Sequence, residues 1–203
     1  MRWIVNEITD MTNERKQKVE AVLNNRQTNL TIVLEDVQDP RNVTAVMRTA
    51  DAVGIQDIYV INTGRPNIKK FGYKSGSSAG KWVTLHQFTD TESCFEALRE
   101  RFDTILTTHL SSDAIELYSI DFTQSVALVF GNEQEGVSEK ARALADGNFI
   151  IPQVGMVQSL NISVACAVSI YEAYRQKKQA GHYNQSTMPA EQFNLLKEQW
   201  GLE

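Results

Sequence analysis

The sequence is poor in the residues that cross-link or metallate a small fold. Its 203 residues include two cysteines, Cys94 and Cys166, and three histidines, His86, His109 and His182. The cysteines stand far apart and no C-x-x-C occurs, which excludes a disulfide scaffold and a cysteine-rich zinc site. The histidines show no ligand spacing, so no metal is expected. Cys166 sits in an apolar stretch, where a buried reduced thiol is expected. No apolar run approaches the roughly 20 residues that a membrane span needs. The first residues, MRWIVNEITDMTNERK, lack the apolar core of a signal peptide. A cytoplasmic protein with no membrane partner is the expectation. Neither G-x-G-x-x-G nor G-x-x-x-x-G-K-[ST] occurs, so a Rossmann fingerprint and a P-loop are both excluded. An excess of basic charge is also missing. Lys and Arg number 20 against 25 Asp and Glu, a net charge of −5, which argues against a surface that binds nucleic acid indiscriminately.

What is present begins with ample core material, 42% hydrophobic residues, enough for one compact domain or one domain with helical extensions. The basic residues are also clustered. Arg15, Lys16, Lys18 and Arg26 form one group, Arg65, Lys69, Lys70, Lys74 and Lys81 a second, and Arg175, Lys177 and Lys178 a third. Together these hold 12 of the 20 cations, with Glu20 the one carboxylate among them. Local positive patches on an acidic body suit a phosphate backbone, although solvated helix faces also carry such charge.

Apolar periodicity divides the chain into alternating elements. Helices are predicted over 12–27, 39–53, 92–102, 138–145, 159–178 and 189–200. Strands are predicted over 30–34, 58–61, 104–107, 126–130 and 148–152. Residues 65–81 read as a loop with one short helix, and 179–187 as a linker. Strands alternating with helices predict a parallel α/β sheet covered on both faces.

The most informative stretch is 126–171. The runs VALVF and NFIIP each empty into a polar loop that carries glycine, and the second loop leads to a long apolar helix opened by Ser159 and Asn161. Buried parallel strands that end in such loops form ligand crevices at their C-terminal edge. Free backbone amides there suit a polar or charged ligand.

Three blocks carry a family resemblance: NVTAVMRTADAVG (42–54), FGNEQEGVS (130–138) and IPQVGMVQSLNISVA (151–165). In composition, order and spacing they resemble the signature blocks of the SpoU/TrmH methyltransferases, within the knotted SPOUT superfamily. VLNNRQTNLTIVLEDVQDPRN (22–42) and KQAGHYN (178–184) resemble the subgroup that methylates a D-loop guanosine of tRNA, at position 18. The resemblance implies an α/β-knot fold, a deep trefoil, in place of the unknotted doubly wound sheet that the pattern alone predicts. It divides the chain into an N-terminal helical extension (1–28) that binds RNA, a methyltransferase domain (29–178) and a C-terminal helical extension (179–203). It also implies a homodimer. Ile162, Val164, Ala165, Cys166, Ala167, Val168 and Ile170 leave the long helix no polar face, which calls for burial all round.

The implied chemistry is transfer of a methyl group from S-adenosyl-L-methionine to a ribose 2′-hydroxyl of tRNA. The cofactor is expected in three strand-end loops: Thr107, Thr108 and His109; Gly131, Asn132 and Gly136; and Ile151, Met156, Ser159 and Leu160. Arg48 is the implied catalytic residue, with Asn42, Ser159, Asn161 and Glu133 around it. By residue type alone Asn42, Ser159 and Asn161 also read as helix caps, Glu133 as an exposed loop carboxylate and Arg48 as a surface arginine. A charged Arg48 lowers the hydroxyl pKa and stabilises the developing alkoxide, since a guanidinium pKa above about 12 makes the neutral form scarce. Lys18, Arg26, Arg41, Arg175 and Lys177 are the implied RNA contacts. The alternatives are a sister enzyme acting on an anticodon-loop or ribosomal ribose, and a non-catalytic RNA-binding module on the same fold.

Overall fold

The computed structural model describes residues 11–64 and 78–202. Four of the five cations of the second basic group, Arg65, Lys69, Lys70 and Lys74, lie outside the described residues.

The chain runs α1 (Asn13–Asn24), β1 (Leu30–Glu35), α2 (Pro40–Ala52), β2 (Asp57–Ile61), β3 (Thr84–Phe88), α3 (Thr91–Arg99), β4 (Thr104–Thr108), β5 (Ile115–Glu116), β6 (Val126–Phe130), α4 (Glu139–Leu144), β7 (Gly147–Ile150), α5 (Ile162–Gln179) and α6 (Ala190–Gln199). The seven strands form one sheet in the order β3-β2-β1-β6-β4-β7-β5, and every pairing is parallel. The predicted parallel sheet with helices on both faces is therefore observed. β6 enters between β1 and β4, with Leu34 opposite Phe130 and Thr107 opposite Val129. This insertion sets the C-terminal ends of β1, β6, β4 and β7 side by side.

Alternation along the central strands sorts the core. Ile32, Leu34, Ile58, Val60, Leu128 and Phe130 face α2 and α5. Val33, Tyr59, Ile61, Ala127, Val129 and Ile105 face α3 and α4. All six residues of β1 and all five of β6 are buried, as strands covered on both sides require. Residues 84–88 and 115–116 are strands that apolar pattern misses. They stand at the two sheet edges, where TLHQF is only half-buried and Ile115 and Glu116 are exposed, so burial imposes little pattern on them.

The helix starts follow side-chain capping. Asp39 accepts from the backbone N–H of Arg41 at 2.9 Å, with Pro40 in the first turn. Ser138 caps α4, and Asn161 caps α5. α5 thus begins at Ile162, and Ser159 stays in the preceding loop. The terminal helices pack on one another through Val19, Leu23, Met188, Leu196 and Trp200. Of residues 179–187, expected as a linker, Gln179 closes α5 and the rest are anchored. Gly181 adopts φ 83°, which lets His182 N–H reach the Lys177 carbonyl at 2.9 Å, and the Tyr183 hydroxyl donates to the Val53 carbonyl at 2.7 Å.

Candidate active site

At the C-terminal edge of β4, β6 and β7 three loops enclose a cavity of about 570 Å³. Thr108 and His109 form one wall, residues 131–136 a second, and Ile151, Gln153, Gln158, Ser159, Leu160 and Asn161 a third. Phe130 and Phe149 close the floor, edge to face at 5.9 Å. The volume lies within the range of small-molecule sites, about 300–1,000 Å³.

The second wall is a self-contained turn. Asn132 and Gly136 exchange both backbone hydrogen bonds at 3.1 Å. The Asn132 side-chain oxygen accepts from the N–H of Gln134 and of Glu135. A Cβ on Gly131 would lie 2.0 Å from the Gly136 carbonyl, so only glycine fits there. Gly136 has open space around it but a φ of 73°, so its requirement is conformational.

Three sequence-distant side chains meet at the rim. Glu133 Oε1 accepts from Asn42 Nδ2 at 2.7 Å, and its Oε2 from the N–H of Gln38 at 3.3 Å. Asn42 Oδ1 accepts from Asn161 Nδ2 at 3.2 Å, and Asn161 Oδ1 accepts from the Ser163 N–H at 2.9 Å. One chain of hydrogen bonds therefore joins the first turn of α2, the glycine turn and the start of α5. Partial burial works to raise the Glu133 pKa. The bonds from Asn42 and from backbone N–H groups outweigh it and hold the carboxyl below its ordinary value. Asn161 is both a cap and a member of this chain. Ser159 lines the cavity, and Arg48 does not. Arg48 is exposed on α2, six residues and so about a third of a turn around from Asn42. It makes no side-chain hydrogen bond or ion pair among the described residues.

Of the expected cofactor residues, Thr108, His109, Gly131, Asn132, Gly136, Ile151, Ser159 and Leu160 line the cavity, and two do not. Thr107 is buried and donates to Asn148 Oδ1 across the sheet, because its side chain leaves β4 on the face away from the cavity. Met156, expected at the cofactor, is 99% exposed and projects away from the cavity lining. Gln153 and Gln158, within the expected loop 151–160, and Ala165, the last residue of the third block, also line the cavity, whereas Leu110 and Phe149 lie outside the three blocks and were missed. Sequence reading also missed Arg142 of α4, whose Nη1 donates to His109 Nε2 at 2.7 Å and holds that ring against the wall. Nothing in the spacing links positions 109 and 142, which meet only through the sheet.

The five expected RNA contacts divide. Lys18, Arg41 and Arg175 are exposed. Arg41 is paired with Asp39 at 2.9 Å and Arg175 with Glu172 at 2.8 Å. Arg26 and Lys177 are corrected: both side chains are 0% exposed. The Arg26 guanidinium bonds Asp51 at 2.6 Å and the Trp82 carbonyl at 2.9 Å, and lies 5.1 Å from the Trp200 ring centroid. Burial lowers its pKa against the opposing pull of Asp51. Lys177 Nζ donates to Asn29 Oδ1 at 2.8 Å, and burial pushes its pKa down to about 8. Arg26 ties the end of α1 to α2 and to Trp200 at the end of α6, Lys177 ties α5 to the residue before β1, and neither side chain is open to a phosphate in this structure.

Burial raises the thiol pKa of Cys94 to about 12 and that of Cys166 well above its ordinary value, so both are inert. Among the described residues no group of three His, Cys, Asp or Glu is placed to hold a metal, and no helix is long and apolar enough to cross a membrane.

A model of the SpoU rRNA Methylase family matches residues 29–171. The chain is 42% identical over 192 residues to a Thermus thermophilus protein named tRNA (guanosine(18)-2′-O)-methyltransferase, covering 94% of this chain and 97% of that one. Its fold matches the crystal structure of an A. aeolicus TrmH/SpoU tRNA modifying enzyme with a TM-score of 0.82 at 32% identity, over 92% and 95% of the two chains. It also matches an rRNA methyltransferase from Sinorhizobium meliloti solved with AdoMet bound, with a TM-score of 0.65 at 25% identity, over 75% of this chain and 58% of that one.

Proposed function

Since the chain belongs to the SpoU rRNA methylase family, we propose that it methylates the ribose 2′-hydroxyl of a tRNA guanosine, at position 18 of the D-loop, with S-adenosyl-L-methionine as donor. The observation that carries this reading is the Glu133–Asn42–Asn161 chain at the mouth of the three-loop cavity. It ties the three signature blocks into one polar rim beside a pocket of the right size.

The cavity fits the cofactor. Phe149, Ile151, Leu160 and Ala165 offer apolar walls for an adenosine, while the main chain of 131–136 and 151–160 offers donors and acceptors for its edges. When bound, the sulfonium supplies an activated methyl group. The residues of this chain then have to align a weak nucleophile and relieve its proton, and alignment alone supplies several kcal/mol of such a barrier. Glu133 and Asn161 hold the Asn42 amide at the rim, where it positions the ribose. Arg48, as a cation, lowers the hydroxyl pKa and stabilises the alkoxide as it forms. The proton passes to a substrate phosphate or to water. Exposed Lys18, Arg41 and Arg175 dock the tRNA backbone.

The working unit in this reading is a homodimer in the cytoplasm. Val164 and Tyr171, seven residues apart on one face of α5, are 46% and 50% exposed. Val154 and Met156 project wholly into solvent from the loop before it. A second copy covers these apolar surfaces and brings its own Arg48 face to the interface. The knotted threading belongs to the same proposal. After β7 the chain passes beside the glycine turn and changes from the face that holds α4 to the face that holds α5.

The test is mass mapping of nucleosides in unmodified tRNA after incubation with the protein and labelled donor. A 2′-O-methylguanosine in the D-loop is the expected product. A methyl on an anticodon-loop nucleoside, or on ribosomal RNA alone, would replace the substrate assignment. No transfer to any RNA would overturn the enzymatic reading.

A further inference from the structure

We infer that Glu35 and Ser138, neither of which lines the cavity, form a latch that sets the position of the 131–137 turn and thereby the affinity for the methyl donor. The inference rests on the cofactor reading above.

Glu35 is the last residue of β1 and is 2% exposed. A buried carboxylate usually answers a cation. Glu35 has no ion pair among the described residues. Its donors are neutral groups: the Ser138 N–H at 2.8 Å to Oε2, the Ser138 hydroxyl at 2.7 Å to Oε1, and the Thr91 hydroxyl at 3.3 Å to Oε1. One residue is thus gripped by both its backbone and its side chain. Both carboxyl oxygens are engaged in that arrangement, and a glutamine cannot reproduce it because it would turn an NH2 toward a donor. The Ser138 hydroxyl is also fully used. It donates to Glu35 and accepts from the Ala141 N–H at 3.1 Å as the cap of α4.

The placement gives this grip its consequence. The turn leaves the sheet at Phe130, which is locked opposite Leu34 of β1. It returns to fixed structure at Ser138, beside Glu35, the residue that follows Leu34 on that same strand. Within the turn, the Asn132–Gly136 bonds make a stiff unit. A stiff unit hinged at its ends moves as a body, so its tilt is decided by what holds the outside. Two carboxylates do so from opposite directions. Glu133 reaches out of the turn to Gln38 and Asn42, and Glu35 reaches into its exit at Ser138. Between them Asp36 takes a left-handed φ of 50°, uncommon for a residue with a side chain. Its carboxylate accepts from the N–H and hydroxyl of Thr63 at 2.8 and 2.6 Å. That bend separates Glu35, which points toward the α3–α4 face, from Gln38, whose N–H meets Glu133. One corner of β1 therefore sets both ends of the wall on which the cofactor lies.

The experiment measures donor affinity by calorimetry, tRNA affinity by filter binding, and kcat against KM for the donor. The variants are Glu35→Gln, Ser138→Ala, Ser138→Thr and the double variant Glu35→Gln/Ser138→Ala. We expect Glu35→Gln and Ser138→Ala each to raise the donor Kd and KM by about tenfold, the scale of one lost charge-assisted hydrogen bond. The double variant should be no worse than the worse single one, because both break the same contact. Ser138→Thr, which keeps hydroxyl and N–H, should restore donor affinity. Affinity for tRNA should stay within about threefold, and kcat at saturating donor should fall by less than the donor Kd rises. Donor binding unchanged in both single variants overturns the latch, as does a loss shared equally by donor, tRNA and kcat. If Glu35→Gln does not fold, the contrast between Ser138→Ala and Ser138→Thr decides alone. Wild-type protein that binds no donor at all would refute the cofactor reading instead.

Discussion

Glu133 and Asn42 lie 91 residues apart in sequence and 2.7 Å apart in space. Their bond joins a carboxylate on a glycine turn to an amide in the first turn of a helix. An asparagine there could have served only as a cap. Asp39 fills that role, which frees Asn42 to face the cavity rim.

Reversing this pair tests it. Asn42→Asp sets two carboxylates against each other, and both cannot stay ionised at that distance. Methyl transfer should fall by about 100-fold at neutral pH and recover in part toward acid, as one of the two takes a proton. Adding Glu133→Gln should restore much of the rate, because amide and carboxylate have changed places. The wild-type pair has its own pH limit. The Glu133 pKa is depressed in the folded protein, so its contribution is complete above the ordinary carboxylate pKa of about 4.3. It is lost as pH falls through the lower folded value. Equal activity of the single and the double variant across pH would remove the pair from the mechanism.

Arg48 separates chemistry from binding. Arg48→Ala should abolish methyl transfer while the donor Kd stays within about threefold, since Arg48 is outside the cofactor cavity. Arg48→Lys keeps the charge and loses the planar fork. Substantial activity in the lysine variant supports a point-charge role, and almost none supports a geometric one. Near-normal turnover of Arg48→Ala with saturating tRNA would move the catalytic centre to Ser159, Asn161 and Glu133.

The exposed face of α5 tests the assembly. Val164→Glu or Tyr171→Glu would place a charge in the interface expected there, at a cost of several kcal/mol. Sedimentation should show a monomer, and activity should fall with the dimer. A monomeric variant that is fully active would show that one chain suffices.

Arg26 and Arg175 should behave oppositely, although both come from basic clusters. Arg26→Met removes the buried partner of a partly exposed Asp51 and leaves the Trp82 carbonyl without its donor, a change worth roughly 1–3 kcal/mol, and should lower the melting temperature by several degrees. The salt dependence of tRNA binding should not change. Arg175→Ala removes the exposed partner of Glu172, whose carboxylate keeps its bond from Gln176, so stability should move less than in the Arg26 variant. Its salt slope for tRNA binding should flatten by about 0.7–0.9. A flattened slope in the Arg26 variant would restore that residue to the RNA surface.

Lys177 gives the protein an alkaline signature. Its folded pKa of about 8 is below the unfolded value of about 10.4. Between those limits the unfolded chain binds the extra proton, so stability rises with pH by up to about 1.4 kcal/mol per unit. Below about pH 8 both states are charged and the term no longer changes. Lys177→Met should remove this rise. Parallel stability curves for wild type and variant from pH 8 to 10 would show that the amine is not desolvated.

What the sequence determined by itself is local. Continuous apolar runs place β1 and β6, the 3.6-residue apolar period places α2, and an apolar stretch with no polar face places α5, because burial on one or both sides demands those patterns. The edge strands at 84–88 and 115–116 escape the same reasoning because little of them is buried. The glycine turn is legible because Gly131 has no room for a Cβ and Gly136 takes a left-handed φ that favours glycine. Charge is less legible. Lys177 and Lys178 are neighbours in one basic cluster, yet a 100° step around the helix buries one and exposes the other. Arg26 looks like a docking cation until Asp51, Trp82 and Trp200 enclose it. Contacts such as Glu133–Asn42, Arg142–His109 and Glu35–Ser138 were left to the tertiary structure alone. Each joins elements that no local pattern relates, and each forms because β6 enters the sheet between β1 and β4, bringing distant strand ends to one edge.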